Sequence, residues 1–152
     1  MPHQIPCLVA ASLVACAVTL AACGSDSGAD EDPNPRVTTS QGTLVISSVT
    51  TPDTFPPGCT SGSTCYSAQP GYQLLLVWLT PADGTPPSDL AGYVSDTFSS
   101  VSVQSTDGVI TNGSGGGLLS GELFVMFTPV AAETSWTLSW PDNPPVQLPS
   151  PQ

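Results

Sequence analysis

Basic side chains are almost absent from this sequence: it has no lysine, and Arg36 is its one arginine. The 12 acidic residues give a formal net charge of −11 at pH 7. Proteins that bind DNA or RNA neutralise phosphates with lysine and arginine, whereas this chain repels them. We therefore expect no nucleic-acid partner.

Histidine is equally scarce, because His3 is the only one and lies in a segment that we expect to be removed. Without imidazole, lysine amine or a domain arginine, the chain lacks Ser-His-Asp and Cys-His machinery, Schiff bases and histidine metal sites. Carboxylates remain, and most of them lie in turn-like sequences where solvated turns explain them. These acids are Asp53, Asp83, Asp89, Asp96, Asp107, Glu122, Glu133 and Asp142. We expect no catalytic residue, no metal and no cofactor; a calcium- or sugar-dependent activity of the carboxylates is the alternative.

The first apolar run of the chain ends at a cysteine. Residues 5–22 carry no charge, and their length is at the lower limit for a membrane-spanning helix. No lysine or arginine flanks the run on the side where a spanning helix is usually stopped. The ending Leu20-Ala21-Ala22-Cys23 resembles the lipobox of bacterial lipoproteins. The resemblance implies cleavage before Cys23 and a lipid on its thiol; an ordinary signal peptide or a short anchor is the alternative.

The order of segments follows from this interpretation. Residues 1–22 are the predicted lipoprotein signal peptide, and 23–41 the lipidated cysteine with a flexible acidic linker. The acidic run Asp30-Glu31-Asp32 in that linker has the composition of a disordered spacer. Residues 42–150 are the predicted folded domain. We expect the protein on the extracytoplasmic face of the cell membrane, held by the lipid on Cys23.

The remaining cysteines are even in number. Of the 5 cysteines, Cys7 and Cys16 leave with the leader and Cys23 carries the lipid, so Cys59 and Cys65 remain. In an oxidising compartment such a pair forms a disulfide. A structural zinc site requires four ligands, and redox motifs have two residues between their cysteines rather than five. A structural Cys59–Cys65 disulfide is therefore predicted.

After Gly42 the sequence is a series of short strands separated by turn residues. The strand signals cover residues 43–49, 71–79, 98–105, 121–130 and 135–140, with a closing edge strand in PPVQL and a hairpin turn at Asp107-Gly108. No sizeable helix is expected; residues 88–96 have the pattern of one or two helical turns, with Ser88 as the cap. The glycine-rich stretch TNGSGGG (111–117) is interpreted as a flexible hairpin tip. About seven strands at this spacing indicate an all-β fold, an antiparallel β-sandwich.

Two strands have informative hydrophobic patterns. LLLVWL is apolar on both faces, which predicts a central strand covered on both sides. SWTLSW alternates, so that Trp136, Leu138 and Trp140 share one face. We expect the three tryptophans to be core residues rather than a ligand platform.

The succession GYQLLLVWLTP, an Asp-Gly hairpin, GELFVMFTPV and SWTLSWPDNPPVQL resembles secreted immunoglobulin-like domains of the telokin-like, immunoprotective extracellular type. Such domains are common in lipoproteins of Gram-positive bacteria. The resemblance covers residues 42–148. It implies an immunoglobulin-like sandwich and export, and it carries no catalytic residue.

These features favour a non-catalytic binding module whose partner is a protein or a cell-wall polymer. The loop 52–70 is the candidate contact surface, because the disulfide rigidifies it and Phe55 and Tyr66 supply aromatic anchors. A plain stapled strand connection is the alternative for the loop. A structural cell-envelope lipoprotein without a tight ligand is the alternative for the whole protein.

Overall fold

The computed structural model of the protein describes residues 34–60, 65–132 and 135–152. The predicted signal peptide 1–22, the predicted lipidation site Cys23, the acidic run Asp30-Glu31-Asp32 and Glu133 lie outside the described residues. The described strands are β1 Arg36–Thr39, β2 Gly42–Thr50, β3 Thr54–Phe55, β4 Tyr66–Ser67, β5 Tyr72–Pro81, β6 Ser102–Ser105, β7 Ile110–Leu119, β8 Glu122–Ala131, β9 Trp136–Ser139 and β10 Val146–Gln147. The helix α1 Pro87–Thr97 is followed by a 3-10 turn, Phe98–Ser100.

Eight strands form one antiparallel sheet in the order β1-β2-β5-β8-β7-β6-β9-β10, and β3 and β4 form a separate hairpin. The predicted all-β class is thus confirmed. A sandwich of about seven strands is not: the sheet is continuous, and its larger part is barrel-like. No helix within the described ranges is long and apolar enough to cross a bilayer.

Strand β5 is central, as its apolar run predicts. It pairs with β2 on one side and with β8 on the other. Leu75, Val77 and Leu79 belong to the main core, while Leu74 and Leu76 belong to a second cluster. Because successive side chains of a strand point to opposite faces, the main core defines the inner face of the sheet and the second cluster its outer face.

The main core is completed by strand β9 and helix α1. Trp136, Leu138 and Trp140 are buried in it, which confirms the predicted alternation. Helix α1 adds Leu90 and Val94, one turn apart on its inner side. The indole N–H groups of Trp136 and Trp140 have no hydrogen-bond partner. These two tryptophans therefore stabilise the fold through packing.

Helix α1 starts earlier than the sequence indicates. Its N-cap residue is Pro86, and no side chain caps it, so the prediction that Ser88 is the cap was wrong. Pro87 occupies the first helical position, where its fixed φ suits the helix and no intrahelical N–H is needed. Proline starts this helix in place of a capping hydroxyl.

The glycine-rich stretch is a strand, so its interpretation as a hairpin tip was wrong. It forms most of β7, between β8 and β6. A Cβ at Gly113 would overlap the carbonyl oxygen of Phe98, and one at Gly116 would lie 2.9 Å from Phe98 Cβ and 3.1 Å from Val94 O. Glycine is required here because the end of α1 and the 3-10 turn lie directly on the strand.

Two hairpins connect the long strands. The predicted Asp107-Gly108 hairpin joins β6 to β7. Its loop has three residues, 106–108, because the Ser105 N–H donates to the Val109 carbonyl oxygen at 3.0 Å and so closes the hairpin at this pair. Gly108 is the last residue of this loop and has a φ of 90°. A three-residue hairpin loop requires a positive φ at this position, which favours glycine. Ser120 and Gly121, with φ of 52° and 88°, form the two-residue turn between β7 and β8.

The folded part of the chain includes residues before the predicted domain start at residue 42. Arg36–Thr39, which the sequence interpretation assigned to the flexible linker, forms β1 and pairs with β2. Val37 fixes this strand because its side chain is only 1% exposed in the main core. The segment 36–43 has too few hydrophobic residues for the sequence to predict a strand. Val37 is the single apolar side chain between Pro35 and Leu44, and it is buried in the main core.

Candidate functional site

The loop 52–70 is closed by the predicted disulfide. Cys59 and Cys65 are joined, with their Cα atoms 5.7 Å apart, which confirms the pairing. Strands β3 and β4 pair antiparallel within the loop, and the Ala68 N–H donates to Asp53 O at 2.9 Å. The loop is thus a stapled hairpin lying beside β5.

Phe55 is not on the surface of this loop. Its side chain is only 6% exposed, and its ring centroid lies 5.0 Å from that of Phe124 on the outer face of the sheet. The prediction of Phe55 as a contact anchor was therefore wrong. Strands β5 and β8 have an apolar outer face, and burial of apolar surface is favourable. Phe55 covers this face, where it packs with Leu74 and Met126.

Tyr66 is accessible, as a contact residue must be. Its side chain is 40% exposed, and Tyr72, at the start of β5, is 49% exposed. We call these two residues the tyrosine surface. Tyr72 was missed because it was counted as part of the central strand; its position directly after Pro70-Gly71, where a turn precedes the strand, was the available signal.

A separate groove lies on the sheet where β1, β2 and β5 meet. It has a cavity volume of about 330 Å³ and is lined by Asn34, Arg36, Val45, Ser47, Thr80, Pro81 and Ala82. Arg36 stands opposite Val45, and Val45 opposite Thr80, so the three form one row across the strands. We call it the Arg36 groove. Sequence reasoning missed it because Arg36 was assigned to the linker.

The lining of the groove combines apolar and polar residues. Val45, 8% exposed, and the buried Pro81 supply apolar surface, while Arg36, Ser47 and Thr80 are exposed polar residues of the lining. Apolar surface with a few polar groups around it is the usual composition of a small-molecule site.

Two carboxylates outside the groove are held in the ionised form. The backbone N–H of Thr85, and then its hydroxyl, lower the pKa of Asp83. The Ser105 hydroxyl, and then the Val109 N–H, lower the pKa of Asp107. A general acid needs a raised pKa, so both shifts suit turn stabilisation rather than acid catalysis. In the described ranges, no three histidine, cysteine, aspartate or glutamate side chains come together as a metal site.

Comparison of the chain with protein-family models, with curated proteins and with solved structures finds no match. The resemblance to immunoglobulin-like lipoproteins therefore stays a prediction.

Proposed function

We propose that this protein is a lipoprotein, anchored through Cys23 to the extracytoplasmic face of the cell membrane, whose β domain is a non-catalytic binding module. The observation that carries the proposal is the Cys59–Cys65 disulfide. Disulfides persist in oxidising compartments outside the cytosol. Because the disulfide uses both domain cysteines, Cys23 is the cysteine left for the lipid after removal of 1–22.

An immunoglobulin-like arrangement of the domain is part of the proposal. It is supported by the way in which both ends of the continuous sheet contribute to one core. Leu44 and Ile46 of β2 share that core with Val103 of β6 and Leu138 of β9. Two stretches of antiparallel strands facing a common interior are what an immunoglobulin-like sandwich requires.

The tyrosine surface is the proposed contact region. Tyrosine side chains supply large, rigid contact area with a polar tip, which is why they are common in binding surfaces. Phe55 packs the loop against the sheet, and the disulfide closes the loop on itself, so Tyr66 is supported by a constrained backbone. The proposed partner is a protein or a cell-wall polymer. The net charge of −11 repels polyanions, which are therefore unfavourable partners.

Site-specific photocross-linking in the native envelope tests this proposal. A photoreactive residue replaces Tyr66 in one variant and Asp89, an exposed residue of α1, in a matched control. We expect a discrete adduct from position 66 that is absent from position 89. Equal labelling from both positions, or none from either, would contradict the binding module and favour the structural envelope lipoprotein.

A further inference from the structure

Strand β7 is paired along only part of one side. Residues 110–112 pair with β6, and the Gly113 N–H donates to Val101 O at 2.8 Å. Before Ser102 the chain forms the 3-10 turn and α1 instead of a strand. Residues 114–119 therefore continue beside β8 alone, and no strand of the described ranges pairs with their other side. This second half of β7 is an open edge within the sheet, which we call the β7 edge.

Two residues of the β7 edge direct their backbone polar groups away from β8. The turn 120–121 has a positive φ at both positions, and Leu119 pairs with Glu122 beside it. The residues that flank such a turn form a hydrogen-bonded pair, and these pairs alternate with non-hydrogen-bonded ones along an antiparallel ladder. The non-hydrogen-bonded positions that precede Leu119 are Leu118 and Gly116, so their N–H and C=O groups point to the open side.

Both residues are accessible from solvent. Leu118 is 40% exposed, and Gly116 is half-buried. Since glycine has no side chain, the exposed part of Gly116 is backbone. Between them, the position that a Cβ of Gly117 would take has no atom of the described chain within 4 Å apart from its chain neighbours. Glycine in a strand lets another backbone approach closely, and here the space for it is open.

The backbone groups at the β7 edge are available for strand pairing. Within the described residues, no hydrogen bond uses the outward groups of Gly116 and Leu118. The edge of β1 differs, because the Asn143 amide bonds both backbone groups of Thr38 there. Open N–H and C=O groups at a sheet edge are a template for an extended peptide, which adds as a further strand. The β7 edge thus offers two donors and two acceptors to an incoming strand.

The elements around the β7 edge carry negative charge. Helix α1, the β6–β7 hairpin and β8 contain acids and no basic residue; the acids are Asp89, Asp96, Asp107 and Glu122. Arg36 lies on β1, four strands away at about 19 Å along the sheet. This charge attracts a cationic segment. Together with the net charge of −11, it opposes edge-to-edge pairing with a second copy of the chain.

We propose that the β7 edge binds an extended peptide segment with basic side chains from a partner protein. The segment adds as a strand beside β7 and exchanges up to about four main-chain hydrogen bonds with Gly116 and Leu118. This site goes beyond the proposed function, since it needs neither the lipid anchor nor the tyrosine surface. Leu118 pairs near the start of β8 and Tyr72 at its end, so the two sites lie about 26 Å apart along that strand.

Amide hydrogen exchange, followed by NMR on the full chain in non-ionic detergent, tests the edge first. In the free protein we expect the Gly116 and Leu118 amides to exchange at least about tenfold faster than those of Gly117 and Leu119, which are bonded to β8. The peptide acetyl-KVTVK-amide at about 1 mM should slow exchange of the first pair. Slow exchange at Gly116 and Leu118 before the peptide is added, or no slowing at that peptide concentration, would overturn the proposal.

Two altered peptides separate strand addition from charge attraction. The same sequence with N-methyl groups on its threonine and both valines keeps its charges but loses the central N–H donors. The peptide acetyl-EVTVE-amide keeps the donors but reverses the charge. We expect each to bind at least about tenfold more weakly than acetyl-KVTVK-amide in calorimetry. Equal binding of the N-methylated peptide would reduce the interaction to charge, and equal binding of the acidic peptide would remove the basic partner; either result contradicts the proposal.

Two lysine substitutions on β7 test the location. Leu118→Lys places a cation on the β7 edge, whereas Ile110→Lys makes the same change of charge where β7 pairs with β6. Both side chains are exposed, at 40% and 64%, so we expect the fold to survive, with an unchanged circular dichroism spectrum. Leu118→Lys should weaken binding of acetyl-KVTVK-amide at least about fivefold, and Ile110→Lys by less than about twofold. Equal affinities of the two folded variants would exclude the β7 edge as the site.

Discussion

At the scale of single residues, the two aromatic side chains of the stapled loop have opposite roles. Phe55 packs on Phe124 beneath the loop, and Tyr66 remains 40% exposed. The sequence predicts an aromatic-bearing loop closed by a disulfide, and both are present. It does not predict which ring faces the sheet, because that depends on the outer face of β5 and β8, far away along the chain.

This difference predicts unequal effects of truncation. Phe55→Ala should lower the free energy of unfolding by about 3 kcal/mol, since it removes a buried ring and leaves a cavity beside Leu74 and Met126. Tyr66→Ala should change it by less than about 0.5 kcal/mol, because the side chain is largely in solvent. Chemical denaturation of the two variants measures both values. Equal losses would show that Tyr66 is also a structural residue.

At the scale of elements, strands with a clear period were predicted well, and those whose form depends on a neighbour were not. The apolar run of β5 and the alternation of β9 determine those strands locally. Strand β7 has almost no hydrophobic pattern and is rich in glycine, which in isolation favours a loop. Its form follows from α1 and Phe98, which pack so closely that side chains are excluded.

Alanine substitutions at two glycines of β7 should therefore differ. Gly113→Ala should cost about 2 kcal/mol or more of unfolding free energy, because its Cβ would overlap the Phe98 backbone, which cannot yield as a side chain does. Gly115→Ala is the matched control, since its Cβ would meet only the flexible end of Met126, at 3.3 Å from Cε. We expect a change within about 1 kcal/mol there. A Gly113→Ala variant as stable as Gly115→Ala would contradict the close packing of the 3-10 turn on β7.

The β6–β7 hairpin should depend on pH through Asp107. Its folded pKa lies below 3.8, because the ionised carboxylate accepts from Ser105 Oγ and from the Val109 N–H. A carboxyl group whose pKa is lower in the folded than in the unfolded state stabilises the fold fully at pH values above its unfolded pKa. This stabilisation is lost as the pH falls through the folded pKa. The difference in unfolding free energy between wild type and Asp107→Ala should therefore be larger at pH 7 than at a pH well below 3.8.

Denaturant titrations of both proteins across that range give the comparison. Glu122→Ala, which removes one negative charge from an exposed position at the start of β8, is the control for the loss of charge alone. A constant difference between wild type and Asp107→Ala at all pH values would contradict an ionised turn carboxylate.

At the scale of the whole molecule, the sheet closes through contacts that no local pattern predicts. Asn143, in the turn after β9, donates from Nδ2 to Thr38 O at 2.8 Å and accepts at Oδ1 from the Thr38 N–H at 2.7 Å. The Asn143 amide thus supplies hydrogen-bond partners for the backbone N–H and carbonyl oxygen of Thr38 on the edge of β1. At the chain end, the Gln152 N–H donates to Val49 O at 3.0 Å. The pairs are 105 and 103 residues apart in sequence, and periodicity carries no signal over that distance.

Removal of the Asn143 amide should loosen this closure. Asn143→Ala is expected to lower the unfolding free energy by about 1–2 kcal/mol, because two hydrogen bonds to the edge of β1 are lost while water replaces part of them. Asn112→Ala, at an exposed position of β7, is the matched control with an expected change within about 0.5 kcal/mol. Amide hydrogen exchange should show faster exchange at Thr38 in the first variant alone. Unaltered exchange there would contradict the closure.

The proposed membrane location depends on a lipid at Cys23, and mass spectrometry of the chain purified from its native membrane is the decisive measurement. We expect a polypeptide whose first residue is Cys23, with a diacylglyceryl thioether on its sulfur and without residues 1–22. An underivatised Cys23 thiol, or a chain that still carries its leader, would contradict it.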